Sequence, residues 1–126
     1  MGNCEKLKEE YLDSLSKMIQ EHKAIASDLR KNGADDEAIL ESIKGNVVNI
    51  FYQVFDTNYK MNSGRSVNNL AEDYLKFFDK IPAPWTIKMK KDKEHNMLDE
   101  YYKEKIKLET ADQVKEIFIN HYERCL

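Results

Sequence analysis

Leu7, Tyr11, Leu15, Met18, His22, Ile25 and Leu29 follow one another at spacings of three and four. That period gathers them on one stripe of an α-helix, which Leu12, Ile19 and Ala26 widen on one side. The helix is expected over residues 4–32. The stretch "RKNG" closes it: basic residues suit the negative end of the helix dipole, and Gly33 can take the left-handed stop conformation. "ADDEAILESI" opens a second helix, with Asp35 or Asp36 as cap and acids at the positive end of the dipole. Its apolar series is Ile39, Ile43, Val47, Ile50 and Val54, flanked by Leu40, Phe51 and Phe55, and it runs to about Tyr59. The stripe is broad, so this helix is expected to be the most buried.

"MNSGRS" reads as a loop. Ser66 suits the N-cap of a third helix carrying Val67, Leu70, Ala71, Tyr74, Leu75, Phe77, Phe78 and Ile81. Pro82 and Pro84 then stop it, since proline lacks the N–H and disfavours helical geometry in the residue before it. Pro84 fits the first position of the next helix, with Trp85 plugging the corner. "IPAPWTIKMKKDK" therefore reads as a joint and not as a recognition loop. Residues 84–107 are assigned to helix, although Trp85, Ile87 and Met89 alternate as a strand would. The alternative is an α+β fold with a hairpin over 85–108, its second arm Tyr102, Ile106 and Leu108. "TADQ" reads as a capping box with Thr110 as cap. It starts a last helix over 111–124, with Ala111, Val114, Phe118, His121 and Cys125 on one face. The expected fold is all-α, an antiparallel bundle of about five helices forming one domain over residues 1–126.

Composition supports helices: four Gly and two Pro in 126 residues are too few for the many turns of a β-rich chain. The net charge is −3. Residues 1–45 hold seven basic and ten acidic groups, 46–85 four of each, and 86–126 nine of each. No region has the basic footprint of a nucleic-acid binder, so no nucleic acid is expected as partner. The run Lys88–Lys93 contains Asp92 and precedes Glu94, and reads as a solvated face. No apolar run approaches the ~20 residues of a membrane span, and the first residues lack the apolar core of a secretory signal, so no membrane is expected. "MGNC" is similar to a lipidation start, but Lys6 stands where Ser or Thr is required. Cys4 and Cys125 sit in no Cys-x-x-Cys pair, which leaves a cytoplasmic protein with reduced thiols as the expectation. Usage rich in Lys, Asn, Ile and Tyr is what an AT-rich bacterial genome gives.

Candidate chemistry is sparse. His22 and His121 fall on apolar stripes, where they could line a ligand pocket with Tyr52, Tyr74 and Trp85; a core histidine with one hydrogen-bond partner is the plainer account. Asp92, His95 and Asp99 share a face if residues 92–99 are helical, which makes a carboxylate–imidazole–carboxylate set for a divalent ion. No Glu-x-x-His occurs to complete a di-metal bundle site. Cys125 lies one turn after His121, but a terminal turn is a poor holder for a Cys–His pair. No Gly-x-Ser-x-Gly, Walker or Gly-rich phosphate motif is present, and "NSGR" with Arg65 reads as a turn. No catalytic set and no cofactor are expected. Aromatics at helix edges, among them Tyr52, Tyr59, Phe77, Tyr101 and Tyr102, suit an interface or a pocket. The sequence thus favours a non-enzymatic, cytoplasmic helical bundle acting through protein contact or homo-oligomerisation. A small-ligand or divalent-metal-binding bundle is the alternative.

Overall fold

A computed structural model describes residues 2–61, 64 and 66–126, with side chains from residue 4 onward. Arg65 and most of the loop around it lie outside the described residues. Those described form six helices and no strand: α1 (Gly2–Lys31), α2 (Asp35–Met61), α3 (Val67–Leu75), α4 (Phe77–Lys80), α5 (Ala83–Glu94) and α6 (Leu98–Arg124). The fold is all-α, and the hairpin alternative for 85–108 is excluded by helices through that region.

The α1–α2 joint is a Schellman motif. The N–H of Ala34 reaches the carbonyl of Leu29 (2.8 Å), the N–H of Gly33 reaches that of Arg30 (3.1 Å), and Gly33 sits at φ 78°. The same motif, unrecognised in the sequence, separates α5 from α6. Met97 N–H bonds Asp92 C=O (2.8 Å), Asn96 N–H bonds Lys93 C=O (3.2 Å), and Asn96 takes φ 57°. Asparagine tolerates the left-handed region better than most residues, so it replaces glycine here. The expected helix over 84–107 therefore breaks at His95–Met97. The expected capping box is not one: Thr110 is buried inside α6 and its hydroxyl donates to Ile106 C=O at 2.8 Å. A threonine satisfied by the carbonyl four residues back needs no helix end.

Ser66 does cap α3, its hydroxyl accepting from Asn69 N–H at 3.1 Å. The third expected helix is interrupted at Lys76, which stays in the right-handed region. The proline joint is tighter than the sequence suggested. Ile81 and Pro82 both keep helical angles (φ −69°, ψ −45° and φ −75°, ψ −12°). Pro82 caps α5, and Ala83, not Pro84, is the first helical residue.

α1 and α2 form the antiparallel hairpin. α6 packs on it, parallel to α2 and antiparallel to α1, and α5 folds back along the first half of α6. The core gathers where the start of α1, the end of α2, α3 and the end of α6 meet. Tyr11, Phe55, Tyr74 and Phe118 form an edge-to-face cluster there, with centroids 4.8–6.0 Å apart. Ala111, Val114, Phe118 and His121 on α6, and its C-cap Cys125, are all buried, as their spacing predicts.

On α2 the buried face is rotated from the expected one. Val47, Val48, Phe51 and Phe55 are buried, while Ile39 and Ile50 face outward. Phenylalanines bury more area than the aliphatic side chains they displace, and their side of the helix turned inward.

Candidate functional site

The predicted pocket residues do not converge. His22 lies against α2, its Nδ1 2.9 Å from Glu41 Oε2. Burial pushes the Glu41 carboxyl up, but hydrogen bonds from Lys44 and His22 outweigh it and hold the group below its ordinary value. His121 sits between α6 and α1 with Nε2 2.9 Å from Ser14 Oγ. Burial lowers its pKa, the nearby Arg124 lowers it further, and Glu10 opposes both. Tyr74 is in the centre of the core, its hydroxyl 2.7 Å from that of Tyr11 and donating to Phe51 C=O. Tyr52 packs on the core from outside. Trp85 is half-buried between α5 and α6, with Lys107 Nζ 5.8 Å from its ring centre. The two histidines thus occupy different interfaces.

The metal set fails on its premise. His95 is the exposed C-cap of α5, Asp99 belongs to the first turn of α6, and the left-handed Asn96 between them destroys the shared face. Asp92 is buried and turned to Lys88, 2.9 Å away. Among the described residues no group of three or more His, Cys, Asp or Glu is placed to hold a metal ion.

Ser14, His121 and Glu10 line up in the order nucleophile, base, orienting acid, with Glu10 Oε2 3.9 Å from His121 Nδ1. Catalytic competence would also need donors for an oxyanion. Ser14 is mid-helix, where its own N–H and its neighbours' are spent on the helical ladder. The trio's evident work is to tie α6 to α1. His121 was a candidate in the sequence, but Glu10 and Ser14 were not, because they share a helix turn that carries no motif.

Two other arrangements stand out. One is a polar cleft of about 370 Å³ between α1 and α2, lined by His22, Lys23, Arg30, Glu41, Asn46 and Asn49 over Ile19, Ala26 and Gly45. The other is the outward face of α2. Ile39, Ile43, Ile50, Val54 and Met61 recur at intervals of four, seven, four and seven, which keeps them on one face. Ile39 is 44%, Ile50 38% and Met61 80% exposed. A hollow of about 240 Å³ formed with Leu40 and Tyr102 flanks the Ile39 end, and one of about 280 Å³ formed with Val54 and Phe77 flanks the Met61 end. Tyr102 and Phe77 were among the edge aromatics singled out in the sequence; Tyr102 is exposed, whereas Phe77, Tyr59 and Tyr101 are half-buried, the first two against the core.

No family model, curated protein or solved structure matches this chain. No helix among the described residues is long and apolar enough to cross a membrane.

Proposed function

We propose that this is a non-enzymatic, cytoplasmic helical-bundle protein that works through protein contact, and that its partner on the outer face of α2 is a second copy of itself. The observation that carries this reading is the outward aliphatic stripe from Ile39 to Met61, of which Ile39, Ile50 and Met61 are exposed. Five large apolar side chains on one helix face, three of them well exposed, form the kind of patch that marks an interface.

The stripe is self-complementary about Ile50. Ile39 and Met61 each lie eleven residues from it, roughly 16 Å along the helix axis. A two-fold axis at Ile50, with the two α2 helices antiparallel, sets Met61 of one copy against the Ile39–Leu40–Tyr102 hollow of the other. Such an isologous contact closes at two copies. Charge favours the same direction. The first turn of α2 carries Asp35, Asp36 and Glu37 and its last turn Lys60, so antiparallel pairing opposes unlike ends.

Light scattering on a gel-filtration column tests the reading. The expected mass is twice 14.9 kDa, falling to one chain in I50E with the helical spectrum unchanged. A wild-type monomer at high protein concentration would refute self-association.

A further inference from the structure

We propose that the cleft between α1 and α2 is a binding site for a small organic anion: a carboxylate or phosphate monoester with a short apolar body. Its volume of about 370 Å³ falls in the range of small-molecule sites. The cleft exists because its floor is low. Gly45 has no side chain, and a Cβ there would lie 3.3 Å from His22 Cβ; Ala26, also buried, is the other small residue. Larger residues at either position would fill the space.

The charges around it are unbalanced in favour of an anion. Glu41 is the lining's one carboxylate, and it already accepts from Lys44 at 2.9 Å and faces His22 at 2.9 Å. Lys23 and Arg30 are left over. Lys23 has no ion pair among the described residues. Arg30 is anchored at the mouth by Nη2 donating to Ser42 Oγ at 2.9 Å, which uses one of the five N–H donors of its fork. A guanidinium fixed by one arm suits an oxyanion on the other. The amides of Asn46 and Asn49 add donors on the facing helix, and Ile19 offers an apolar surface for the ligand's body. A cationic ligand would meet two positive side chains and a carboxylate already engaged. The lining contains no Phe, Tyr or Trp, and its one ring, the His22 imidazole, is held by Glu41 at 2.9 Å.

Amide NMR titration of the full chain with succinate, glycerol 3-phosphate and uncharged glycerol tests this. One or both anions should shift the amides of residues 19–30 and 41–49 saturably, with Kd below about 1 mM, and glycerol should not. Tighter binding of glycerol 3-phosphate assigns phosphate, and tighter binding of succinate assigns carboxylate. K23E/R30E, both at exposed positions, should weaken binding tenfold or more, whereas K90E on α5 should leave it unchanged. No saturable shift with either anion, or equal affinity in K23E/R30E, overturns the proposal.

Discussion

The hydroxyls of Tyr11 and Tyr74 meet at 2.7 Å in the centre of the bundle, 63 residues apart in the chain. Tyr74 donates its proton to Phe51 C=O, so the proton between the two hydroxyls belongs to Tyr11. The direction of this relay makes the two residues unequal. In Y11F, Tyr74 still donates to Phe51 C=O, and the loss should be about 0.5–1.5 kcal/mol. In Y74F, the fully buried Tyr11 hydroxyl is stranded, and the loss should be about 1–3 kcal/mol. The double variant should cost less than the sum, because the stranded group is gone. Urea unfolding measures all three, and a Y11F cost equal to or above that of Y74F would contradict the assigned direction. Burial also raises both phenol pKa values. Stability held below the unfolded value near 10 is therefore lost as pH rises beyond it, and these two tyrosines should ionise only as the chain unfolds.

Acid acts through His121. Its folded pKa is depressed, first by burial and then by Arg124, so the unfolded chain takes up the proton first. The stabilisation of the neutral ring is complete above the unfolded value of about 6.5 and drains away as pH falls below it. Chemical denaturation at pH 7.5, 6.5 and 5.5 should show falling stability, and H121L should flatten that slope. Glu41 acts in a lower window: its depressed pKa gives a stabilisation that is complete above the unfolded value of about 4.3 and is lost as pH falls below it, because only the ionised carboxylate holds its partners. An unchanged slope between pH 7.5 and 5.5 in H121L would remove His121 as the cause.

How much of this could be read from the chain differs from one feature to the next. Gly33 announced the end of α1 because glycine is the common left-handed stop. Asn96 performs the same closure at the end of α5 but is an ordinary surface residue elsewhere, so the break went unseen. Thr110 looked like a cap because the sequence cannot say which partner its hydroxyl takes; tertiary packing kept α6 continuous. The face of α2 was misjudged because its apolar positions cover well over half the helix circumference, and periodicity then loses its phase. The candidate sites depend on that phase. The outer stripe and the α1–α2 cleft both became visible only once Phe51 and Phe55 were seen to turn inward.

Gly45 offers a test of the cleft floor. Glycine to alanine inside a helix usually stabilises by about 1 kcal/mol. Here the new methyl would stand 3.3 Å from His22 Cβ, an atom fixed to the α1 backbone and not the end of a flexible chain. The two helices would have to part by a few tenths of an ångström. G45A is therefore expected to be no more stable than wild type, and a gain of the full ~1 kcal/mol in thermal or urea unfolding would show that the helices are not in close contact there.

Glu104 supplies the last test. It is 3% exposed, yet only one of its carboxylate oxygens is engaged: Oε1 accepts from Lys107 at 3.1 Å and lies 3.8 Å from Lys88, while Oε2 is buried and unbonded among the described residues. A half-satisfied buried charge is worse than an apolar side chain of the same reach. E104M removes it and strands no buried partner, because Lys88 and Lys107 both reach solvent. E104M should therefore be neutral or stabilising, by up to about 2 kcal/mol. K88M should act in the opposite direction, since Lys88 also serves the buried Asp92 at 2.9 Å and Glu100 at 3.4 Å, and its loss would leave three carboxylates without it. Combining the two should soften the K88M loss. A large destabilisation in E104M alone would mean that the carboxylate is fully engaged in the folded protein, by a water or an ion held at Oε2.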